Sequence, residues 1–281
     1  MYLTYEIMKK ILVPTDFSTQ AENALKVAAQ LAKKHDCELY LLHILEAPLQ
    51  TVDPMSSYND LPEAMFFMKL AHKQFEEIKA KDYLKGLVIH EHVEFQEIFK
   101  GVFHVCKKSH IDLVVMGSNG ASGLKEMLIG SNTEKVVRTS ETPVLVVKKE
   151  HTAFQTKHFV FASDFDEESI APFKKAMVFA NLFNSKMHLL MVNTPNHFIT
   201  SSDAQSRIQN FIKDIKMPSY SINIYNDVTI ETGIMNFSQS IDADFIGMST
   251  HGRRGISHFF NGSISEDLVN HAKRPVMTFK I

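Results

Sequence analysis

The sequence predicts an α/β fold built as two tandem domains, each containing a parallel sheet. One observation is an internal repeat: Lys-Ile-Leu-Val-Pro-Thr-Asp-Phe-Ser at 10–18 returns as His-Phe-Val-Phe-Ala-Ser-Asp-Phe-Asp at 158–166, an offset of 148. The other is that short apolar runs alternate with helical patterns in both halves, which favours parallel strands joined by right-handed crossovers. A chain of 281 residues also has room for two domains of roughly 150 residues each.

Five apolar runs in the first half have the composition of strands buried on both faces. They lie at 11–13, 39–44, 87–93, 112–116 and 144–147. Between them, helices are expected at about 63–83, 95–109 and 131–138, after a first helix that opens at Ser18 or Thr19. The spacing Thr19-x-x-Glu22 is typical of a capping box at that helix start.

The second half repeats this plan with strands expected at 159–161, 188–192, 221–225, 245–248 and 276–279. Domain boundaries of 1–150 and 155–281 follow, with a short linker at about 149–156 that favours packed rather than independently moving domains. Near the end of each half, the glycine-rich segment Gly120-Ala-Ser-Gly123 with Gly130-Ser131 returns as Gly252-Arg-Arg-Gly255 with Gly262-Ser263, at an offset of 132. Because the offset falls from 148 to 132, the second half lacks 16 residues between its second and fourth strands. There the first half carries the proline-containing segment 48–62, which we interpret as a loop ahead of a helix, either a lid or a spacer.

Composition and charge narrow the possible partners. The apolar fraction of 44%, the charged fraction of 22% and the net charge of −2 are ordinary for a globular protein. The sequence has no long block of basic residues, so it gives no electrostatic reason to expect nucleic acid or an acidic membrane as a partner. Residues 1–8 are too polar for a signal peptide, and no run reaches the roughly 18 apolar residues of a membrane helix, so a cytoplasmic location is expected. Cys37 and Cys106 are interpreted as buried free thiols.

The candidate site of the first half lies after its fourth strand. Met116-Gly117-Ser118-Asn119-Gly120 is followed, nine residues later, by Gly130-Ser131-Asn132 at a helix start. Glycine allows close approach of backbone N–H groups, and a helix start carries partial positive charge, so this pattern suits a phosphate. The alternative is purely structural: the glycines turn the chain, and Ser131-x-x-Glu134 is a capping box.

Asp16 adds a second element to this site, because open α/β sheets bind ligands at the carboxyl ends of their strands. Its carboxylate suits an adenine or ribose edge, or a metal on the phosphates; alternatively it stabilises the start of the first helix. His90 and His92 share a strand face, but they lack acidic or cysteine partners at ligand spacing, and no metal site is predicted. The chain contains neither a Gly-x4-Gly-Lys-Ser/Thr P-loop nor a Gly-x-Ser-x-Gly elbow.

These residues resemble the universal stress protein family, and the whole chain resembles a tandem member of it. The resemblance rests on Gly117-x2-Gly120-x9-Gly130-Ser131, on Val-Pro-Thr-Asp-Phe-Ser in the first strand, and on Thr-Pro-Val-Leu-Val-Val at 142–147. It implies Rossmann-like domains of the adenine nucleotide α-hydrolase-like class, each a five-stranded parallel sheet with helices on both faces. It also implies an internal pseudo-dimer in which 144–147 pairs with 276–279.

The resemblance further implies ATP, with or without Mg²⁺, as the ligand. Adenosine is then addressed by Pro14, Thr15, Asp16 and the backbone at Ile44. The ribose and phosphates are lined by Met116, Gly117, Gly120, Gly130, Ser131 and Asn132. The counterparts in the second half are Asp164, Val192, Gly252, Gly262 and Ser263.

The second half departs from the pattern at Ser249, which stands where the first glycine is expected. A side chain there is expected to obstruct close approach of the ligand to the backbone, whereas Asp164 and the pair Arg253-Arg254 favour binding. The leading functional hypothesis is a cytoplasmic stress-response protein that binds ATP or a related adenine nucleotide, mainly in the first domain, as a sensor or regulator. The alternatives are a slow Mg²⁺-dependent ATPase and a dimeric scaffold without nucleotide. A homodimer and an unidentified protein partner are compatible with each.

Overall fold

A computed structural model of the chain describes residues 8–45, 57–118, 130–250 and 263–281. The described residues form one sheet of ten strands, in the order β3-β2-β1-β4-β5-β10-β9-β6-β7-β8. The strands are β1 Lys10–Pro14, β2 Glu38–Leu45, β3 Ile89–Phe95, β4 Leu113–Gly117, β5 Val144–Val147, β6 His158–Ala162, β7 Lys186–Asn193, β8 Tyr220–Asn226, β9 Phe245–Thr250 and β10 Val276–Lys280. The helices are α1 Thr19–His35, α2 Ser57–Lys79, α3 Ile98–Ser109, α4 Ser131–Thr139, α5 Ile170–Phe183, α6 Ser201–Ile212, α7 Ile230–Ser240 and α8 Ser263–His271.

Each half of the sheet has five parallel strands, as predicted, and every strand expected from the sequence is present within a few residues. The two halves meet at β5 and β10, which pair antiparallel with Val276 opposite Val146 and Met277 opposite Leu145. This confirms the pairing implied by the resemblance. A single sheet therefore runs through both domains, which fixes their relative arrangement.

Helices cover both faces of the sheet because successive strand residues point to opposite sides. On one face, α1, α2, α5 and α6 pack over alternate strand residues such as Ile11 and Val13. On the other face, α3, α4, α7 and α8 pack over the intervening residues such as Leu12. In the second domain the first of these layers is aromatic, and Phe159 stacks on Phe245 with ring centroids 4.3 Å apart.

The linker and two lysines fasten the domains together. The side chain of Gln30 on α1 donates to the carbonyl of His151 and accepts from the N–H of Phe154. Lys148, just after β5, donates to the carbonyl of Asn270 near the end of α8. Lys280 in β10 reciprocally donates to the carbonyl of Thr139 at the end of α4, at 3.3 Å. Each domain thus supplies a cation to the negative end of the other domain's last helix.

Three local expectations differ from the structure: the capping box of α1, the alternative capping box of α4, and the extent of the loop ahead of α2. The N-cap of α1 is Ser18, whose Oγ accepts from the N–H of Ala21, so the expected Thr19–Glu22 capping box is not the cap. The N-cap of α4 is Gly130, with no side-chain cap, and Ser131 is the first helical residue rather than a cap. Residues 57–62 belong to α2 instead of a loop, whereas 46–56 lie outside the described residues. An N-cap residue has extended backbone angles, and the spacing of hydroxyl side chains in the sequence did not show which residue adopts them.

Candidate functional site

The turn between β1 and α1 places Asp16 at the carboxyl edge of the sheet. The N–H of Thr15 donates to the carbonyl of Leu42 at 2.8 Å, which joins the turn to β2. Phe17 then adopts a positive φ of 64° and reverses the chain into α1. The carboxylate of Asp16 is exposed and accepts from the N–H of Ser18 at 3.1 Å. Asp16 therefore supports the turn while its side chain remains at the surface of the site.

The corresponding turn in the second domain buries its aspartate. Phe165 repeats the positive φ, at 56°, but α5 begins only at Ile170. The longer turn brings the hydroxyl of Ser169 to 3.3 Å from Oδ1 of Asp164, which is 9% exposed. Burial raises the pKa of the Asp164 carboxyl, and the neighbouring Asp166 adds to the shift. The two first-strand aspartates thus have the same sequence context and different electrostatic environments.

Ile44 and Val192 lie near the ends of β2 and β7, and each contacts a helix at a glycine. A Cβ on Gly101 in α3 would lie 2.7 Å from Cδ1 of Ile44. On Gly233 in α7 it would lie 2.5 Å from Cγ1 of Val192. These glycines let the two helices approach the strand ends closely, beside the candidate site. Sequence reasoning missed both, although their separation of 132 repeats the offset of the glycine-rich segments.

The end of β4 is connected directly to the start of α4. The N–H of Gly130 donates to the carbonyl of Ser118 at 2.8 Å, and the hydroxyl of Thr133 donates to the carbonyl of Gly117 at 3.0 Å. Because no side chain caps α4, the first N–H groups of this helix, which include those of Ser131 and Asn132, have no intrahelical carbonyl to bind. Such a helix start is suited to an anion.

Gly117 packs closely against α1, which is a second reason for a glycine here besides its expected role in ligand approach. A Cβ at Gly117 would lie 2.9 Å from the carbonyl oxygen of Gln20 in α1, so a larger residue would require the backbone of the helix or of the strand end to shift. The corresponding Ser249 is completely buried, and its Oγ has no hydrogen-bond partner within the described part of the chain. The obstruction of a ligand at Ser249 stays a prediction.

The second domain contains a pocket of about 210 Å³ at the carboxyl ends of β6 and β7, between α6 and α7. Its walls are mainly apolar, and Asn193 holds the segment that closes one side by donating to the carbonyl of Ile199 at 3.0 Å. Arg207 in α6 donates to the carbonyl of Asp164 at 3.4 Å and is one of the residues that line the pocket. The pocket contains both residues predicted for this domain that the structure describes with side chains, Asp164 and Val192. Sequence reasoning missed Arg207, because helical spacing does not show which strand end a side chain reaches.

The residues predicted to bind nucleotide in the first domain lie at one edge of the sheet, as far as the structure describes them. Pro14, Thr15 and Asp16 follow or end β1, Ile44 is in β2, and Met116 and Gly117 end β4. These three strands are neighbours and parallel, so their ends share one edge with the start of α4. Gly120, Gly252 and Gly262 lie outside the described residues, as do Arg253 and Arg254; Ser263 is the first residue of α8.

His90 and His92 on β3 pack against side chains of the neighbouring strand β2. Their rings stack on Tyr40, with centroids 4.5 Å and 5.7 Å away, and Nε2 of His90 lies 2.9 Å from Glu38. Within the described ranges, no three histidine, cysteine or acidic side chains are grouped as metal ligands. In those same ranges, no helix combines the length and apolar character needed to cross a membrane.

A sequence model of the universal stress protein family matches residues 8–148 and 225–280. The chain belongs to this family. The matched regions fall one in each half, and the resemblance inferred from the glycine spacing is confirmed. The domain boundaries of 1–150 and 155–281 stay a prediction.

Individual universal stress proteins match either one half of the chain or both. Universal stress protein MJ0531 of Methanocaldococcus jannaschii is 34% identical over 152 residues, covering 51% of this chain and 84% of that protein. The crystal structure of a universal stress protein from Archaeoglobus fulgidus covers 97% of this chain and 98% of its own, with 20% identity and a TM-score of 0.67, which shows the shared fold. A universal stress protein crystallised in complex with cAMP matches 52% of this chain and 98% of its own, with 24% identity and a TM-score of 0.32.

Proposed function

We propose that this universal stress protein binds ATP or a related adenine nucleotide in its first domain and uses the bound nucleotide as a regulatory signal. The observation that carries the proposal is the start of α4. It is held against the end of β4 by Gly130, has no side-chain cap, and lies at the same sheet edge as Asp16 and Ile44. Phosphate, ribose and base can each be assigned a place along this edge.

The phosphates would bind at the start of α4, where the N–H groups of Ser131 and Asn132 and the helix dipole provide positive potential. No basic side chain is needed for this interaction. The base and ribose would lie over the ends of β1 and β2, near Asp16 and Ile44. Mg²⁺, which usually retains water and binds substrate phosphates, would enter on the nucleotide and neutralise its charge. The exposed carboxylate of Asp16 is the described side chain best suited to assist it.

A nucleotide that favours one conformation or one partner surface acts as a signal without being consumed. Regulation therefore requires binding and differential affinity, not turnover. The cytoplasmic location and a homodimer stay predictions, to be checked by cell fractionation and by sedimentation.

Titration calorimetry of ATP with Mg²⁺ into nucleotide-stripped protein tests the proposal. Asp16→Asn and Gly130→Val should each weaken binding in the first domain while leaving a cooperative unfolding transition. Asp36→Asn is the matched control, because Asp36 is an exposed aspartate at the opposite end of α1 with a left-handed backbone that asparagine tolerates. Unchanged affinity in both site variants would exclude this placement of the site.

The rival functions give different results in the same preparation. Accumulation of ADP that depends on Mg²⁺ would indicate slow hydrolysis. Absence of both heat and thermal stabilisation with any adenine nucleotide would favour a scaffold whose glycines serve packing alone.

A further inference from the structure

We propose that His158 and His188 bind a divalent transition metal ion such as Zn²⁺. The two rings lie on the neighbouring strands β6 and β7, near the amino ends of the second-domain strands. This edge is opposite the one that holds the pocket at the carboxyl ends of β6 and β7. The proposed nucleotide function uses neither histidine, so the inference does not depend on that function.

The facing ring nitrogens are separated by a distance that one metal ion can bridge. Nδ1 of His158 lies 3.1 Å from Nε2 of His188. Zinc binds imidazole nitrogen at about 2.0–2.1 Å, so an ion bound to both nitrogens at this separation would have an N–metal–N angle of about 98°. This angle lies between the ~90° of square-planar and the ~109° of tetrahedral coordination, which Cu²⁺ and Zn²⁺ respectively prefer.

In the metal-free protein, a hydrogen bond joins these two nitrogens, so one of them carries a proton. Metal binding requires that proton to move to the other nitrogen of its ring, which keeps both rings neutral and gives each a lone pair for the ion. The ion would lie beside the line that joins the nitrogens, so the rings must also rotate about their Cβ–Cγ bonds, a torsion with broad energy minima. His158 is partly exposed, so water can complete the coordination of the ion.

His188 is held in place by a second layer of polar contacts. Its side chain is buried, and its Nδ1 lies 2.9 Å from Oγ of Ser221 on β8. The side-chain amide of Asn223 donates to the same oxygen at 3.1 Å. A metal-binding histidine usually has its other ring nitrogen held in this way, which fixes the tautomer and the direction of the ring. Ser221 is therefore a positioning residue that would accept from Nδ1–H of His188 while Nε2 faces the ion.

The first domain does not have this pair of histidines. At the repeat offset of 148, Lys10 corresponds to His158 and Tyr40 corresponds to His188. Nζ of Lys10 lies over the ring of Tyr40, 5.7 Å from its centroid. Because the two domains share the same strand arrangement but not these side chains, the proposed metal site belongs to the second domain alone.

The charged side chains beside the histidines have other roles. The carboxylate of Asp244 accepts from the backbone N–H of His158 at 2.8 Å, as Asp112 accepts from that of Lys10 at 2.9 Å, so this aspartate holds the start of the first strand in both domains. Lys186 lies opposite His158 on β7 and is exposed, so its ammonium group can remain in solvent. The site therefore has two protein ligands, which agrees with the finding that the described residues contain no group of three.

Titration calorimetry of Zn²⁺ into untagged, nucleotide-free protein tests the inference, and the rise in Tm with Zn²⁺ is an independent readout. His158→Gln and His188→Gln should each abolish the tightest binding step, and the double variant should lose no more than either single variant, because both rings bind one ion. Ser221→Ala should weaken Zn²⁺ binding by about 10- to 100-fold, the range for loss of a contact that orients a metal-bound histidine. His90→Gln is the matched control, because it removes a partly exposed strand histidine that stacks on Tyr40, and it should leave this step unchanged.

The Tm of each variant without metal shows first whether it folds. His158→Gln changes a partly exposed side chain, so it carries the test if the buried His188→Gln does not fold. A folded His158→Gln with the Zn²⁺ affinity of the wild type would overturn the inference, as would a wild type that neither binds Zn²⁺ nor gains Tm from it. An equal loss in His90→Gln would also overturn it. ATP binding by His158→Gln should match the wild type, which separates this result from a failure of the proposed function.

Discussion

Replacing Gly117 by alanine tests whether this glycine serves packing or ligand approach. The added Cβ would lie 2.9 Å from the carbonyl oxygen of Gln20 and 3.0 Å from its carbonyl carbon. Both atoms belong to the backbone of α1, so the contact is relieved only by moving the helix or the end of β4. Gly117 does not have a positive φ, and the substitution therefore adds no backbone strain of its own.

Overpacking of this kind costs about 1–3 kcal/mol. For a domain of this size, that corresponds to a fall in Tm of about 2–12 °C. Differential scanning calorimetry of the nucleotide-free protein should show this loss. Gly130→Ala is the matched control, because Gly130 has an ordinary extended backbone with a φ of −64°, and its change in stability should stay within about 0.5 kcal/mol.

The two interpretations of Gly117 predict different changes in the nucleotide-free protein. If packing requires the glycine, the Tm of Gly117→Ala is lowered even without any ligand. If ligand approach requires it, the free protein keeps its Tm and only nucleotide affinity falls. An unchanged Tm of the nucleotide-free variant would therefore refute the packing explanation.

Three further predictions follow from buried groups. Asp164→Asn should raise Tm at pH 7, because burial raises the pKa of Asp164 and its ionised form destabilises the fold; the gain should shrink as the pH falls to the ordinary range of an aspartate, and a gain independent of pH would contradict this. Burial lowers the pKa of Lys148 to about 8, so between about pH 8 and 10.5 the unfolded chain binds more protons than the folded chain. In that range the stability of the wild type should rise with pH relative to Lys148→Met. Parallel pH profiles of Tm for the two proteins in calorimetry would refute this expectation. Leu145→Ala should lower the free energy of unfolding by about 2–5 kcal/mol, because Leu145 is buried opposite Met277. In chemical denaturation the unfolding midpoints of both domains should fall together. A lower midpoint in one domain alone would show that β5 and β10 do not couple the two domains.

The order of strands and helices could be predicted from local patterns because each element carries its own signal. The runs at 112–116 and 144–147 are apolar and β-branched, and they are β4 and β5 in the structure within one residue. Helix caps were predicted less well, since several hydroxyl residues near α1 and α4 fit the cap pattern equally. In the structure, Ser18 and Gly130 have the extended backbone angles of an N-cap, and they are the N-caps of α1 and α4.

By itself, the sequence determined that the chain is duplicated, that its sheet halves are parallel, and that an aspartate and a glycine-flanked helix start recur at the strand ends. These features are encoded by neighbouring residues, so spacing is enough to find them. Only the tertiary structure decided that Gly117 packs on α1, that Gly101 makes room for Ile44, and that Arg207 reaches the turn at Asp164. These contacts join residues far apart in the chain, and they depend on how each helix lies on the sheet, which local patterns do not specify.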